Sequence, residues 1–241
     1  MKYYLCHGGP SHITRHDRVT TALEGAERQQ WQHRQQAAPT QCQRQAITQS
    51  DLQQLLTPAI QRSHYCESDR CMLWAAFMTA FAGLLRVSED TAASPRSASN
   101  GCTLTLGQVS LTGTQISIRL GITKTSQHGT GGQVILQPWS GSQLCPVQAM
   151  RKYLAIRHAT QTTSPLFIFR SGQYLTAKDV NYWRTRVLGP GGSSHSFRID
   201  RATAMAGRNA SAWQLQKAGR WASDTYKTYL RVPAGLPLGQ Q

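Results

Sequence analysis

The longest apolar stretch of the chain, residues 71–85, is the feature that most constrains its fold. It runs for fifteen residues, and only Thr79 and Gly83 interrupt it. A membrane-spanning helix needs about 20 apolar residues, so this stretch is short for a membrane span. Because the stretch is apolar on most sides rather than on one face, we predict a buried central helix over roughly residues 70–85.

The patterns around this stretch indicate a mainly helical chain with a small antiparallel sheet, an α+β fold. Residues 91–101 are rich in Ser, Ala and Pro and predict a loop, after which apolar residues alternate. Strands are predicted at residues 104–106, 116–120 and 134–136. A first helix is expected after a cap at Thr48 or Ser50. Further helices are predicted near residues 146–157, 176–187, 195–207, 211–218 and 223–230.

The 241 residues suffice for one domain of ordinary size with an extension. Residues 1–44 are rich in Gln, Arg and His and cannot form a core alone, so we interpret them as the end of a preceding domain or as a linker. The compact domain is predicted to span residues 45–232. Residues 233–241 are expected to form a disordered tail.

The charge balance favours an anionic partner. Lys and Arg total 26 against 11 Asp and Glu, which gives a net charge of +15. The excess is concentrated in residues 145–241, with fourteen basic and three acidic residues. Such a surface attracts polyanions by releasing the counterions that phosphates condense, so nucleic acid is the leading partner. No basic amphipathic helix supports the rival, an anionic membrane.

The six cysteines are scattered in a chain too long to need disulfides, and we interpret them as reduced thiols. His64, Cys66 and Cys71 lie close together, but no second pair follows at a zinc-finger spacing, so no metal is expected. The N terminus lacks the long apolar core of a signal peptide. We therefore expect a soluble intracellular protein without a membrane partner.

Two polar pairs have side chains that suit a phosphate. His195 and Arg198 lie three residues apart, so on a helix they project from one face. Arginine offers a phosphate a bidentate fork, and histidine exchanges a proton near neutral pH. Arg86 is predicted to end the central helix, where a partly desolvated charge needs an anionic partner, and Glu89 can orient it. Taken singly, each pair is also typical of an ordinary helix end with a surface arginine or a local ion pair.

Two further features are weak by themselves. Lys124 lies at the end of the second predicted strand and opens a hairpin with a glycine-rich tip. Hairpin lysines are usually solvated edge charges. Near the C terminus Arg220 and Trp221 follow a glycine, and Tyr226 and Tyr229 lie on a short basic helix. Single tyrosines are usually packing residues.

The order of these features is more specific than any one of them. An arginine with a glutamate three residues later, a hairpin lysine, a His-x-x-Arg pair, a Gly-Arg-Trp turn and a tyrosine resemble the catalytic constellation of the tyrosine recombinase (phage-integrase) superfamily. The resemblance runs from about residue 47 to residue 231, about three quarters of the chain. The sequence of these motifs is most similar to that of Crypton- and DIRS-like recombinases of eukaryotic mobile elements. The similar segments are Cys145-Pro146-Val147, Pro165-Leu166-Phe167, His195-Ser196-Phe197-Arg198-Ile199 and Gly219-Arg220-Trp221 with Tyr226 and Tyr229.

The resemblance implies a role for each of these residues. Tyr229 is the nucleophile that attacks a backbone phosphorus, and Arg86 and Arg198 hold the non-bridging oxygens of that phosphate. Lys124 is the acid for the departing 5′ oxygen, and His195 is the base or proton partner of the tyrosine. Preorganised arginines can stabilise the extra negative charge of the transition state without a metal. A tyrosine hydroxyl with a pKa of about 10 needs a base or a strong positive potential beside it.

Three assignments are less direct. Glu89 is implied to support the cluster. The position nine residues before the nucleophile usually holds His or Trp, and here it is Arg220, with Trp221 next to it. Either side chain can donate a hydrogen bond to the phosphate. Tyr226 lies three residues before Tyr229 on the same predicted helix face, so it is the rival nucleophile. The spacing from the Gly-Arg-Trp turn favours Tyr229.

The resemblance therefore implies site-specific DNA recombination or integration, by strand cleavage and rejoining through a 3′-phosphotyrosine intermediate. It implies double-stranded DNA as the partner, a homo-multimer on that DNA, no cofactor, and a nuclear location if the source is a eukaryote. Residues 1–44 are then the end of a core-binding (SAM-like) domain. Two alternatives stay open: a DNA-binding module that has lost its activity, and a type IB topoisomerase-like enzyme with the same chemistry.

Overall fold

The computed structural model is mainly helical and contains a small antiparallel sheet, which confirms the predicted fold class. It describes residues 52–53, 57–98, 102–121, 132–139, 144–188, 196–221 and 223–230. The α-helices are α1 (Thr57–Gln61), α2 (Glu67–Ala82), α3 (Val87–Asp90), α4 (Pro146–Ile156), α5 (Ala177–Leu188), α6 (Ser196–Ala206) and α7 (Ala212–Gly219). The 3₁₀ helices are Leu106–Gln108 and Asp224–Tyr229. The strands are β1 (Val109–Thr112), β2 (Gln115–Arg119) and β3 (Gln133–Leu136).

Some predictions fall partly or wholly outside these residues. The predictions for residues 1–44 and 233–241, and for a helix cap at Thr48 or Ser50, concern parts of the chain that lie outside them. Leu52, expected on that first helix, is 1% exposed and belongs to the core. Within the described ranges, no helix is both long enough and apolar enough to cross a membrane.

Helix α2 is the central helix, as the apolar stretch predicted. Eleven of its sixteen residues are buried, and it contacts both α4 and α6. It begins and ends about three residues earlier than predicted. Glu67 and Asp69 favour the early start, because carboxylates stabilise the positive end of a helix. Gly83 ends the helix and Leu84 follows with a φ of 47°, so the last leucines of the stretch are buried without being helical.

The three strands form an antiparallel sheet with β2 in the middle. Ile116 lies opposite Leu136 and Ile118 opposite Val134, and all four side chains are buried in the same core as α2. The turn between β1 and β2 contains Gly113 at a φ of +50°, a conformation that glycine adopts at no steric cost. The sheet therefore covers the core with one face.

The strand predicted at residues 104–106 is wrong. The sheet begins instead at Val109, after the first 3₁₀ helix. The amide of Leu104 donates to the carbonyl of Glu89 at 2.7 Å, and its carbonyl accepts from the amide of Leu166 at 2.8 Å. The prediction missed β1, an edge strand that has no fully buried residue and in which Leu111 is 53% exposed. Its residues, Val-Ser-Leu-Thr, do alternate between apolar and polar side chains, so the sequence contained a signal that the prediction did not use.

The helices of the C-terminal half lie close to their predicted positions. Helix α5 begins after Thr176, whose amide and hydroxyl donate to Asp179 Oδ2 at 2.8 and 2.6 Å. Helix α7 begins with a capping box, in which Ser211 Oγ accepts from the amide of Gln214 at 3.3 Å and the Ser211 amide donates to Gln214 Oε1 at 2.7 Å. The last predicted helix is a 3₁₀ helix, Asp224–Tyr229, which contacts α6 and α7. These contacts bring the His-x-x-Arg helix, the Gly-Arg-Trp turn and the C-terminal tyrosines together.

Candidate active site

Arg86 and Glu89 form an ion pair at the start of α3. The prediction that Arg86 ends the central helix is wrong, because α2 ends at Ala82 and Arg86 is the N-cap residue of α3. The Arg86 amide donates to Glu89 Oε2 at 2.8 Å, and Nη1 donates to Oε1 at 3.0 Å. The side chain of Glu89 is 4% exposed and that of Arg86 is 20% exposed. The carboxylate is therefore shielded from water, while the arginine keeps some contact with it.

Arg220 reaches the same carboxylate from the C-terminal end of α7. Its Nη2 donates to Glu89 Oε2 at 2.8 Å and to the Leu84 carbonyl at 3.2 Å, and its Nη1 donates to the Gly83 carbonyl at 3.0 Å. Burial lowers the pKa of Arg220, the Glu89 carboxylate raises it, and the Arg86 charge lowers it. A guanidinium nevertheless stays protonated in proteins, so Arg220 contributes a full positive charge.

Arg198 projects from α6 into the same region. It is 2% exposed, its Nη1 donates to the Leu84 carbonyl at 3.2 Å, and its Nη2 donates to the carbonyl of Gly219. The Trp221 ring lies over its guanidinium, with 4.4 Å between the Arg198 Cζ atom and the ring centroid, a favourable cation–π contact. Arg86, Glu89, Arg198, Arg220 and Trp221 are called the guanidinium cluster below.

Gly219 gives Trp221 the space for this contact. A Cβ atom at position 219 would lie 1.7 Å from Cζ3 of the Trp221 ring, far inside any permitted contact. Arg220 follows in the left-handed conformation, with a φ of 57° and a ψ of 42°, and turns the chain at the end of α7. The Gly-Arg-Trp turn therefore places its second and third residues in the cluster.

The terminal 3₁₀ helix brings the two candidate nucleophiles to this region. Tyr226 is 5% exposed, and its ring centroid lies 6.4 Å from that of Trp221. The Tyr226 ring is therefore largely shielded from solvent. Tyr229 is the last residue of the same helix, and its side chain lies outside what the structure describes. Its role as the nucleophile therefore stays a prediction.

Lys124 and His195 lie outside the described residues, and their roles also stay predictions. The strand residues before and after the segment that contains Lys124 are described, and so is the helix that follows His195. The strands on either side of Lys124 meet where the Leu120 amide donates to the Gly132 carbonyl at 2.8 Å. A Cβ atom at Gly132 would lie 3.1 Å from Cδ of Arg220, so the base of this hairpin adjoins the cluster. His195 directly precedes α6.

Sequence reasoning missed two contributors to the site. The Leu84 carbonyl is shared by two arginines, and no sequence signal identifies this left-handed leucine. Asp90 is 5% exposed, and its Oδ1 accepts no hydrogen bond from the residues that the structure describes. Burial, and then the neighbouring Glu89 charge, raise the pKa of Asp90 well above its ordinary value. A second acid beside Glu89, next to the apolar stretch, was a signal that could have identified Asp90.

The cluster combines three guanidinium groups from distant parts of the chain with one carboxylate. Such an arrangement suits the binding of an anion, because fixed positive groups in a shielded site stabilise negative charge strongly. Among the described residues, no group of three or more His, Cys, Asp or Glu side chains could hold a metal ion.

Comparison with known proteins gives matches in structure only. No family model matches the sequence, and no curated protein matches it. The XerH site-specific recombinase, in a post-cleavage complex with a palindromic difH substrate, matches with a TM-score of 0.57 and 16% identity, over 78% of this chain and 49% of its own. The XerA recombinase matches with a TM-score of 0.55 and 17% identity, over 79% of this chain and 61% of its own. The Tn1549 transposon integrase, in complex with circular intermediate DNA, matches with a TM-score of 0.52 and 16% identity, over 79% of this chain and 62% of its own.

These matches identify the fold as that of a tyrosine recombinase catalytic domain, a mainly helical domain with a small antiparallel sheet. The chain spans about half to three fifths of the length of the structures that it matches.

Proposed function

We propose that this chain cleaves and rejoins DNA strands, with Tyr229 attacking a backbone phosphate that the guanidinium cluster binds. One observation supports this most strongly: Arg86, Arg198 and Arg220 come from three distant segments and converge on Glu89 and one carbonyl oxygen. Gathering three like charges in a shielded site is costly unless anionic groups lie close by. A DNA phosphate is an anion that fits this need and the basic composition of the chain.

The proposed reaction exchanges one phosphate ester for another. The phenol oxygen of Tyr229 attacks phosphorus, the bond from phosphorus to the 5′ oxygen breaks, and a 3′-phosphotyrosine forms. His195 accepts the proton of the phenol, and Lys124 donates a proton to the departing 5′ oxygen. Attack by a 5′ hydroxyl reverses the steps and rejoins the strand. The covalent link keeps the ester bond energy, so rejoining needs no nucleotide cofactor.

Arg198 already has partners within the protein. Its terminal nitrogens donate to two carbonyls, and the Trp221 ring covers its face. A phosphate in this scheme binds beside these contacts, through the remaining donors of the guanidinium, or replaces one of them. The same observation favours a second candidate function, a DNA-binding module of this fold that does not cleave.

The partner in the proposal is double-stranded DNA. The net charge of +15 supports this, as does the DNA in the Tn1549 integrase complex. Site-specific recombination or integration of a mobile element of the Crypton or DIRS kind, by a homo-multimer in a nucleus, is the finer form of the same proposal. This finer form rests on the resemblance of the short sequence segments to those of Crypton- and DIRS-like recombinases.

A suicide DNA substrate separates the candidate functions. The substrate is a pool of nicked duplexes with a randomised central sequence. After cleavage the short fragment that carries the 5′ hydroxyl dissociates, so no nucleophile remains to reverse the protein–DNA link. We expect the wild-type chain to form a covalent adduct that persists in denaturing gels and is absent in Tyr229→Phe. A DNA-binding module shifts the duplex on a native gel without forming an adduct, and that result contradicts the proposal. A type IB topoisomerase-like enzyme relaxes supercoiled plasmids that contain no selected site.

A further inference from the structure

Arg220 lies nine residues before Tyr229, at the position where the resemblance implies a phosphate ligand, yet the hydrogen bonds of its side chain all go to groups of the protein. Its side chain is 15% exposed. Its terminal nitrogens donate to the Gly83 carbonyl at 3.0 Å, to the Leu84 carbonyl at 3.2 Å and to Glu89 Oε2 at 2.8 Å. Both hydrogens of Nη2 are used in these bonds, so a phosphate that bound Nη2 would replace the bond to Leu84 or the bond to Glu89.

The same bonds connect Arg220 to the other two arginines. Glu89 joins two of them, because Oε1 accepts from Arg86 Nη1 at 3.0 Å while Oε2 accepts both from the Arg86 amide and from Arg220 Nη2, each at 2.8 Å. The Leu84 carbonyl accepts from Arg198 Nη1 at 3.2 Å as well as from Arg220. Displacing Arg220 therefore removes one donor from each of the two acceptors that hold Arg86 and Arg198.

The surroundings of Arg220 also fix its side chain in place. Its backbone is the left-handed C-cap of α7, and its amide donates to the Lys217 carbonyl at 3.2 Å. Gly132, at the base of the hairpin, lies so close that a Cβ atom there would be 3.1 Å from Arg220 Cδ. The side chain is held between the hairpin base and the turn that follows α2.

We propose that Arg220 is a positioning residue. It holds Arg86 through Glu89 and Arg198 through the Leu84 carbonyl, and it does not itself bind the phosphate. This role rests on the proposed function, because it specifies how the phosphate-binding arginines are kept in place.

The salt dependence of DNA binding distinguishes positioning from direct contact. Each lost phosphate contact reduces the slope of log affinity against log salt by about 0.9. Measured in a Tyr229→Phe background, Arg220→Gln is expected to leave this slope unchanged, whereas Arg198→Gln reduces it by about 0.9. Arg220→Lys is the matched control, because it keeps the charge but has one ammonium group for three acceptors. A reduced slope in Arg220→Gln with a normal slope in Arg220→Lys overturns the proposal.

Single-turnover cleavage at saturating DNA tests the connection through Glu89. We expect Arg220→Gln and Glu89→Gln each to slow cleavage about a hundredfold, the usual scale for one well-placed group, with little change in DNA affinity. Arg220→Lys should also be slow. The double variant Arg220→Gln with Glu89→Gln is expected to be no slower than the slower single variant, because both changes break one connection. Independent losses that multiply to about ten-thousandfold contradict positioning through Glu89.

Failure of the proposed function has a different signature. In that case the wild-type chain forms no adduct with any duplex. The free energies of unfolding of the wild type, the two single variants and the double variant then test the positioning role without DNA. Non-additive values support it, because residues in contact are coupled, and additive values overturn it.

Discussion

Leu84 shows how single residues hold this site together. It adopts the left-handed conformation, at a φ of 47°, which costs a residue with a Cβ atom about 1–2 kcal/mol. Its carbonyl accepts hydrogen bonds from both Arg198 and Arg220. A hydrogen bond to a charged group contributes about 1.5–3 kcal/mol, so the two bonds outweigh the cost of the backbone conformation. The turn after α2 is therefore stabilised by the arginines that it holds.

At the scale of residues, sequence order identified the members of the cluster but not their orientation. Arg86, Glu89, Arg198, Arg220 and Trp221 are brought together as the resemblance implied. The choice between Arg220 and Trp221 could not be made from spacing alone. It depends on the left-handed backbone at position 220 and on which carbonyls lie within reach, and both are set by tertiary structure.

Asp90 makes the stability of the fold depend on pH. Its pKa is raised, first by burial and then by the charge of Glu89, so the folded state favours its protonated form. That stabilisation is complete below the unfolded pKa of about 4 and is lost as pH rises through the folded pKa. We expect Asp90→Asn, which cannot ionise, to have a higher Tm than the wild type, by a margin that grows as pH rises above the unfolded pKa of about 4.

The control for this prediction is Asp224→Asn. Asp224 is exposed, and its hydrogen bond from Lys227 lowers its pKa, so its effect on stability has the opposite sign. Thermal unfolding of the three proteins as a function of pH is the measurement. A margin for Asp90→Asn that stays constant with pH shows that the buried carboxyl does not titrate as described.

At the scale of elements, long periodic segments were predicted well and short ones were not. Helix α4 and the capped helices α5 and α7 lie close to their predicted bounds, because apolar spacing and capping residues are local signals. The end of α2 and the edge strand β1 were predicted wrongly. The end of α2 depends on a tertiary feature, a left-handed turn whose carbonyl binds distant arginines, whereas β1 has a local alternating pattern that the prediction did not use.

The turn after α7 gives a prediction at this scale. In Gly219→Ala the new Cβ would lie 1.7 Å from the Trp221 ring, so the ring must leave Arg198. Overpacking of this kind typically costs about 1–3 kcal/mol. We expect the midpoint of chemical denaturation to fall by a matching amount, with a change in tryptophan fluorescence. Gly207→Ala is the control, since its Cβ would meet its nearest neighbour at an ordinary 3.5 Å. Equal midpoints for both variants contradict the described packing.

At the scale of the whole molecule, the order of the motifs predicted the fold of a tyrosine recombinase catalytic domain. The structural matches confirm that fold. The matches have 16–17% identity, so the fold is preserved where little of the sequence is. A core built around one central helix explains this, because hydrophobic side chains of suitable size can replace each other while the pattern of burial is kept. The DNA substrate could not be predicted, since base recognition depends on side chains whose place in a groove no pattern gives.

The most direct test of the account is to identify the residue that becomes linked to DNA. Trypsin cleaves after Arg220, Lys227 and Arg231, so Tyr226 and Tyr229 fall in separate peptides. Mass spectrometry of an adduct trapped on the suicide substrate is predicted to find the nucleotide on the peptide of residues 228–231. A nucleotide on the peptide of residues 221–227, or an adduct that survives Tyr229→Phe, would contradict the account.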